Sequence, residues 1–127
     1  SNSGNWTATS DARWKKGIHT ADGLLGKAMK LRPAWFRFKA QDDTAPETLG
    51  FIAQEVEKVL PNFVTKTDDR LTLDYSGLST VAIGAGQEQE SLIEKQSAQI
   101  KDLEAKNAAL EERLARLEKA MLSVAAK

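Results

Sequence analysis

Residues 87–127 contain no glycine, no proline and no aromatic residue, and from Gln89 onward their apolar side chains recur every seven residues. Position a takes Ile93, Ile100, Asn107, Leu114 and Met121, and position d takes Gln96, Leu103, Leu110, Leu117 and Val124. A heptad stripe sustained over this length predicts a coiled coil rather than a helix laid on a globular core. At about 1.5 Å per residue the segment is about 60 Å long. Glu104, Glu111 and Glu118 occupy position e, and Gln99, Lys106 and Arg113 occupy position g. In a parallel assembly each g faces the e of the next heptad on its neighbour, so Lys106 meets Glu111 and Arg113 meets Glu118. An antiparallel pair sets like charges together. Each exposed pair contributes only about 0.2–1 kcal/mol, but the two orientations differ in sign. Asn107 at a is a polar register device. Leucine at d permits two strands, whereas isoleucine at a with Gln96 at d is compatible with three. A single amphipathic helix packed on the rest of the chain is the alternative.

Lys plus Arg and Asp plus Glu balance at 18 each, which favours neither nucleic acid nor an anionic membrane as partner. There is no cysteine, so disulfides and thiolate metal sites are excluded. No apolar run reaches the roughly 20 residues that span a bilayer. The opening "SNSGNW" lacks the basic start and apolar core of a signal peptide. It reads as cloning scar joined to a continuing upstream chain. No metal and no cofactor is expected.

All three Trp, all four Phe, the only Tyr, the only His and all three Pro precede residue 80. The shift divides the chain into an upstream linker (1–9), a compact head (10–86) and a coil helix (87–127). "TADGLLGKAMK" predicts a short helix capped by Thr20. "PAWFRFKA" alternates bulky and charged residues and predicts a strand. "GFIAQEVEKVLP" opens on a glycine turn, then spaces Ile52, Val56 and Leu60 at helical intervals. "NFVTK" and "LTLDY" around "TDDR" predict a small hairpin. "SGLSTVAIGAG" starts the next helix with Ser76 as cap. Gly84 and Gly86 weaken that helix by roughly 1 kcal/mol each relative to alanine. The fold class is α+β: a mixed head of short strands and helices, followed by a long C-terminal helix.

"TSDARWKKGI", Thr9–Ile18, carries the chemistry. A serine hydroxyl is a poor nucleophile until a base takes its proton. A lysine does so only when neutral, and with an ordinary pKa of about 10.4 it needs burial or nearby positive charge. Trp14 offers apolar cover, Arg13 and Lys16 like charge. Asp11 opposes them unless it turns to Arg13. On an ideal helix Ser10 and Lys15 lie about 140° apart in projection, and a fully extended chain separates them by more than roughly 15 Å. Either a turn joins them within one chain or Lys15 reaches Ser10 of a neighbour. From these residues alone the helix-cap reading of Ser10–Asp11 stands beside the nucleophile reading. Lys16 and His19 are lesser candidates for the base. Trp35, Phe36, Phe38 and Phe51 read as core rather than a sugar platform, and Asp42–Asp43 and Asp68–Asp69 as loop charge rather than a cation site.

Four stretches in order, "SDARWKKGI", "LRPAWFRF", "GFIAQEVEKVLP" and "LDYSGL", followed by heptads, resemble the C-terminal intramolecular chaperone domains of phage tail spikes and fibres. That family includes the endosialidase chaperone and the processing domain of myelin regulatory factors. The resemblance covers roughly residues 9–100, and "GFIAQEVE" with the serine–aspartate opening is its most specific part. It implies a homotrimer, hence a parallel trimeric coiled coil with Ile93, Ile100, Leu103, Asn107, Leu110, Leu114, Leu117 and Met121 in its core. It implies a partner, the upstream β-rich fibre or spike segment of the same polypeptide, whose folding the domain assists before cutting itself off. The implied catalytic pair is Ser10 and Lys15, with Asp11 and Arg13 as supporting motif and Thr9–Ser10 as the bond cut. It also implies a virion tail precursor made in the bacterial host cytoplasm, its chaperone released or retained non-covalently. An uncut trimeric foot and a receptor-binding tip are the alternatives. Gly84 and Gly86 depart from the family's continuous helix and suggest a looser junction between head and coil.

Overall fold

A computed structural model of the chain describes residues 8–126. Residues 1–7, most of the expected upstream linker, lie outside the described residues, as does Lys127. A short helix α1 (Leu24–Ala28) precedes strands β1 (Ala34–Phe36) and β2 (Thr48–Gly50). These pair antiparallel, Trp35 opposite Leu49. Helix α2 (Ala53–Glu57) follows, then a second antiparallel pair, β3 (Val64–Lys66) and β4 (Leu71–Leu73), the hairpin expected around "TDDR". The chain ends in α3 (Tyr75–Ala125), a single helix of 51 residues. The α+β head on a long C-terminal helix is therefore as the sequence predicts.

The core sits where α2 and α1 meet the first turns of α3. Val56, Leu60, Leu78 and Val81 are buried together, flanked by the half-buried Leu24, Leu31, Phe51 and Phe63. Val56 lies on α2 and Leu60 just beyond its end, where the Leu60 N–H donates to the Val56 carbonyl at 2.8 Å, while Leu78, Val81 and Ala85 share one face of α3 by their spacing of three and four residues. Leu78→Ala removes a side chain from the centre of this small cluster. It is expected to cost about 2–5 kcal/mol, read as a lower denaturant midpoint for the loss of head structure.

The helix starts differ from expectation in an instructive way. α1 begins after Gly23 at φ 72°, and no side chain of its own segment caps it. The cap comes from α3 instead. The Glu88 carboxylate accepts the backbone N–H of Leu24 at 3.0 Å and of Leu25 at 2.8 Å, so Thr20 is not the cap. Those two amides hold the Glu88 carboxyl below its ordinary pKa of 4.5. A depressed carboxyl stabilises the fold above its unfolded value and loses that contribution as pH falls through its folded value. Amide exchange at Leu24 and Leu25 should therefore accelerate as pH drops below about 4.5, after correction for intrinsic exchange. Glu88→Gln should show fast exchange already at neutral pH and little further response to acid.

α3 starts one residue earlier than its expected cap. Asp74 is the N-cap, accepting the Gly77 N–H at 2.9 Å, while the Ser76 hydroxyl donates to Asp74 at 2.7 Å. Asp and Ser are comparable caps, and Asp74 N–H is already fixed by the Phe63 carbonyl at 2.8 Å. Gly50 forms no turn but ends β2 opposite Ala34. Gly84 and Gly86 do not interrupt α3. A Cβ at Gly84 would collide with Leu24, so glycine there lets α1 lie directly on the helix. Tertiary packing outweighs the helix propensity that argued for a loose junction. The expected boundary at 86–87 falls inside continuous helix.

Candidate active site

The residues of "SDARWKK" fold around one 3-10 turn, Ala12–Trp14. Asp11 nucleates it. Its side chain accepts the Arg13 N–H at 2.9 Å, and its carbonyl accepts the Trp14 N–H at 3.1 Å. The Arg13 guanidinium folds back onto the same carboxylate, Nη2 to Oδ2 at 2.5 Å and Nε to Oδ2 at 2.9 Å. This pair, with the backbone N–H of Arg13, lowers the Asp11 pKa. Asp11 is thereby committed to Arg13 and not to a lysine.

A 3-10 turn packs about three residues into one revolution. Ser10 and Lys15 flank it and return to the same side. Lys15 Nζ donates to Ser10 Oγ at 2.7 Å. Of the two arrangements open to the sequence, the contact is made by the turn within one chain. Run in the other direction, hydroxyl donating to neutral amine, the same contact is general-base geometry. His19 Nδ1 donates to the Gly17 carbonyl at 2.9 Å and is engaged there.

The pair is open to water in the single chain. Trp14, the expected cover, is 82% exposed. Its neighbour Lys15 is extended (φ −115°, ψ 149°) and ends the turn. The aromatic set also departs from expectation. Phe36 and Phe51 are half-buried, but Trp35 and Phe38 are 65% and 62% exposed. Trp35 is the outward residue of a three-residue strand, and Phe38 lies beyond that strand, edge-on to Phe36 at 5.5 Å. Asp42 is spent on its own turn, accepting the Thr44 N–H and hydroxyl at 2.9 and 2.7 Å. Asp69 is paired with Arg70 at 2.8 Å.

Beyond the head, α3 presents Ile93, Ile100, Leu103, Leu110, Leu114, Leu117 and Met121 as an exposed stripe, with Ile100 54% and Leu110 60% exposed. Asn107 lies on the same stripe, also exposed. Lys106 contacts Asp102 at 2.8 Å within its own helix. Two residues escaped the sequence reading. Glu88 caps a helix 63 and 64 residues away and carries no local signal. Ile83 is exposed beside the head core, and only the heptad frame run backward marks it.

A compact α+β head, a serine held by a lysine in a tight turn at its N-terminal edge, and a long helix with an unpartnered apolar stripe define a head-and-stalk domain. Residues 10–65 match the family model described as chaperone of endosialidase, Peptidase_S74. The matched span begins at Ser10 and contains the whole turn with Lys15. The family name joins a chaperone role to a peptidase. No curated protein matches the chain.

Proposed function

We propose that the chain is an intramolecular chaperone that trimerises through α3, assists the folding of an upstream β-rich fibre or spike segment of its own polypeptide, and then cuts itself free at Thr9–Ser10. The contact of Lys15 Nζ with Ser10 Oγ at 2.7 Å carries this reading. The family match supports the chaperone role, and the exposed heptads support assembly.

Lys15 takes the Ser10 hydroxyl proton and the oxygen attacks the Thr9 carbonyl carbon through a five-membered ring. The proton passes to the Ser10 nitrogen as the peptide bond breaks. The product is an ester between the Thr9 acyl group and Ser10 Oγ. Water opens it, leaving a Thr9 carboxylate and a chain that begins with Ser10. The reaction happens once per chain. A lysine serves as base when desolvation or like charge favours its neutral form, and the open pair of the single chain would gain that cover from neighbouring chains. Cutting would then follow assembly. The setting is a tail precursor in the bacterial cytoplasm.

The exposure of the pair favours a second reading, an uncut foot holding three fibres in register. Intact mass under denaturing conditions separates the two, measured on the chain joined to its upstream segment. A fragment beginning at Ser10 supports self-cleavage. A single full-length mass after trimer formation supports the foot.

A further inference from the structure

Between α1, the start of β1 and the first turns of α3 lies an open apolar cleft of about 310 Å³. Leu31, Pro33 and Phe51 form its head wall, and Tyr75, Leu78 and Ala82 its helix wall. Ile83, the residue that follows Ala82 on α3, is 65% exposed although Val81 and Ala85 are buried.

The coil frame relates these two features. α3 is unbroken from Tyr75 to Ala125, so the heptads continue backward from Ile93. They place Gly86 and Ser79 at a, and Gln89, Ala82 and Tyr75 at d. Leu78 then falls at g and Ile83 at e of the next heptad. That is the relation of Lys106 to Glu111 and of Arg113 to Glu118, the opposite charges that select a parallel second copy. A copy aligned by those charges brings its own Ile83 to the turn of α3 that carries Leu78, whose buried side chain forms part of the cleft wall. The seam there is small. Ser79 and Ala82 line it, and a Cβ at Gly86 would meet nothing within 4 Å, so helices can approach closely.

We infer that the cleft is a socket for Ile83 of an adjacent copy of this chain, each chain giving one isoleucine and receiving one around a closed ring. This rests on the parallel assembly proposed above. It extends the assembly seam from the coil into the head and fixes the heads relative to one another.

The test places a photo-crosslinking phenylalanine analogue at position 83 in a mixture of isotopically light and heavy chains. Sedimentation of the same sample gives the oligomeric state. The socket predicts light–heavy crosslinks to peptides containing Leu31, Phe51 or Tyr75–Ala82. A trimer whose crosslinks stay within one chain, or fall elsewhere, or do not form, overturns the socket and leaves the chaperone reading standing. A monomer overturns both. Ile83→Asp gives an independent reading, because Ile83 is exposed in the single chain and its loss leaves the head core intact. The concentration for half-dissociation should rise at least about tenfold. Leu122→Asp, at the outward position b, should leave it unchanged. An unchanged midpoint for Ile83→Asp overturns the socket.

Discussion

Ser10→Ala should leave the chain uncut under conditions in which the wild type, joined to the proposed upstream segment, is expected to yield a fragment beginning at Ser10. Alanine offers no nucleophile, so the expected loss is complete. Lys15→Ala should slow cutting by about 10²–10⁴-fold, the usual contribution of a positioned general base. Lys15→Arg is the sharper variant. Arginine can still donate a hydrogen bond to Ser10 and keeps the positive charge, so a merely structural role survives it. It does not become a neutral base in a protein, so a catalytic role does not. Equal inactivity of Lys15→Ala and Lys15→Arg, with trimers still formed, is the expected pattern. Because the 2.7 Å contact joins the two residues within one chain, trimers mixed from Ser10→Ala and Lys15→Ala chains should not regain cutting. Recovered cutting in that mixture would show Lys15 acting on a neighbour's Ser10. Time courses of intact mass read all four samples.

The parts legible in the sequence were those written locally. The heptads from Gln89 repeat one simple pattern, and α3 follows it without a break. The hairpin of β3 and β4 is marked by alternating residues around a charged turn. In "SDARWKK" the turning of Asp11 to Arg13 was legible, whereas the turn that joins Ser10 to Lys15 was one of two arrangements the residues left open. What was not legible depends on residues far apart in the chain. The cap of α1 belongs to Glu88, which no window around Thr20 contains. Gly84 reads as a helix weakener until Leu24 is laid on it. Trp35 and Phe38 carry the hydrophobicity of core residues, but β1 is too short and too much at the edge to bury both faces. Trp14 and Ile83 are exposed on the single chain as well.

Leu103→Asp combined with Leu110→Asp should convert the assembled protein to monomers. In the proposed trimer each d layer brings three leucines together, and each fully buried leucine contributes about 1.5–3 kcal/mol. Two layers so altered remove on the order of 10–20 kcal/mol per trimer, before the cost of placing carboxylates in an apolar seam is counted. The weak pairs of Lys106 with Glu111 and Arg113 with Glu118 cannot offset such a loss. The helix beyond the head should lose much of its far-ultraviolet ellipticity with the trimer. Among the described residues nothing else packs on that stretch, and an isolated helix without an apolar partner is marginal in water. The head core lies at Val56, Leu60, Leu78 and Val81, away from both substitutions, so its aromatic signals should persist. Cutting should cease as well, although Ser10 and Lys15 are untouched, if the cover of the pair comes from neighbouring chains. Sedimentation, circular dichroism and intact mass on one sample distinguish the outcomes. Monomers that still cut at the wild-type rate would mean that the turn at Ser10 is sufficient alone, and that release is not held back until assembly.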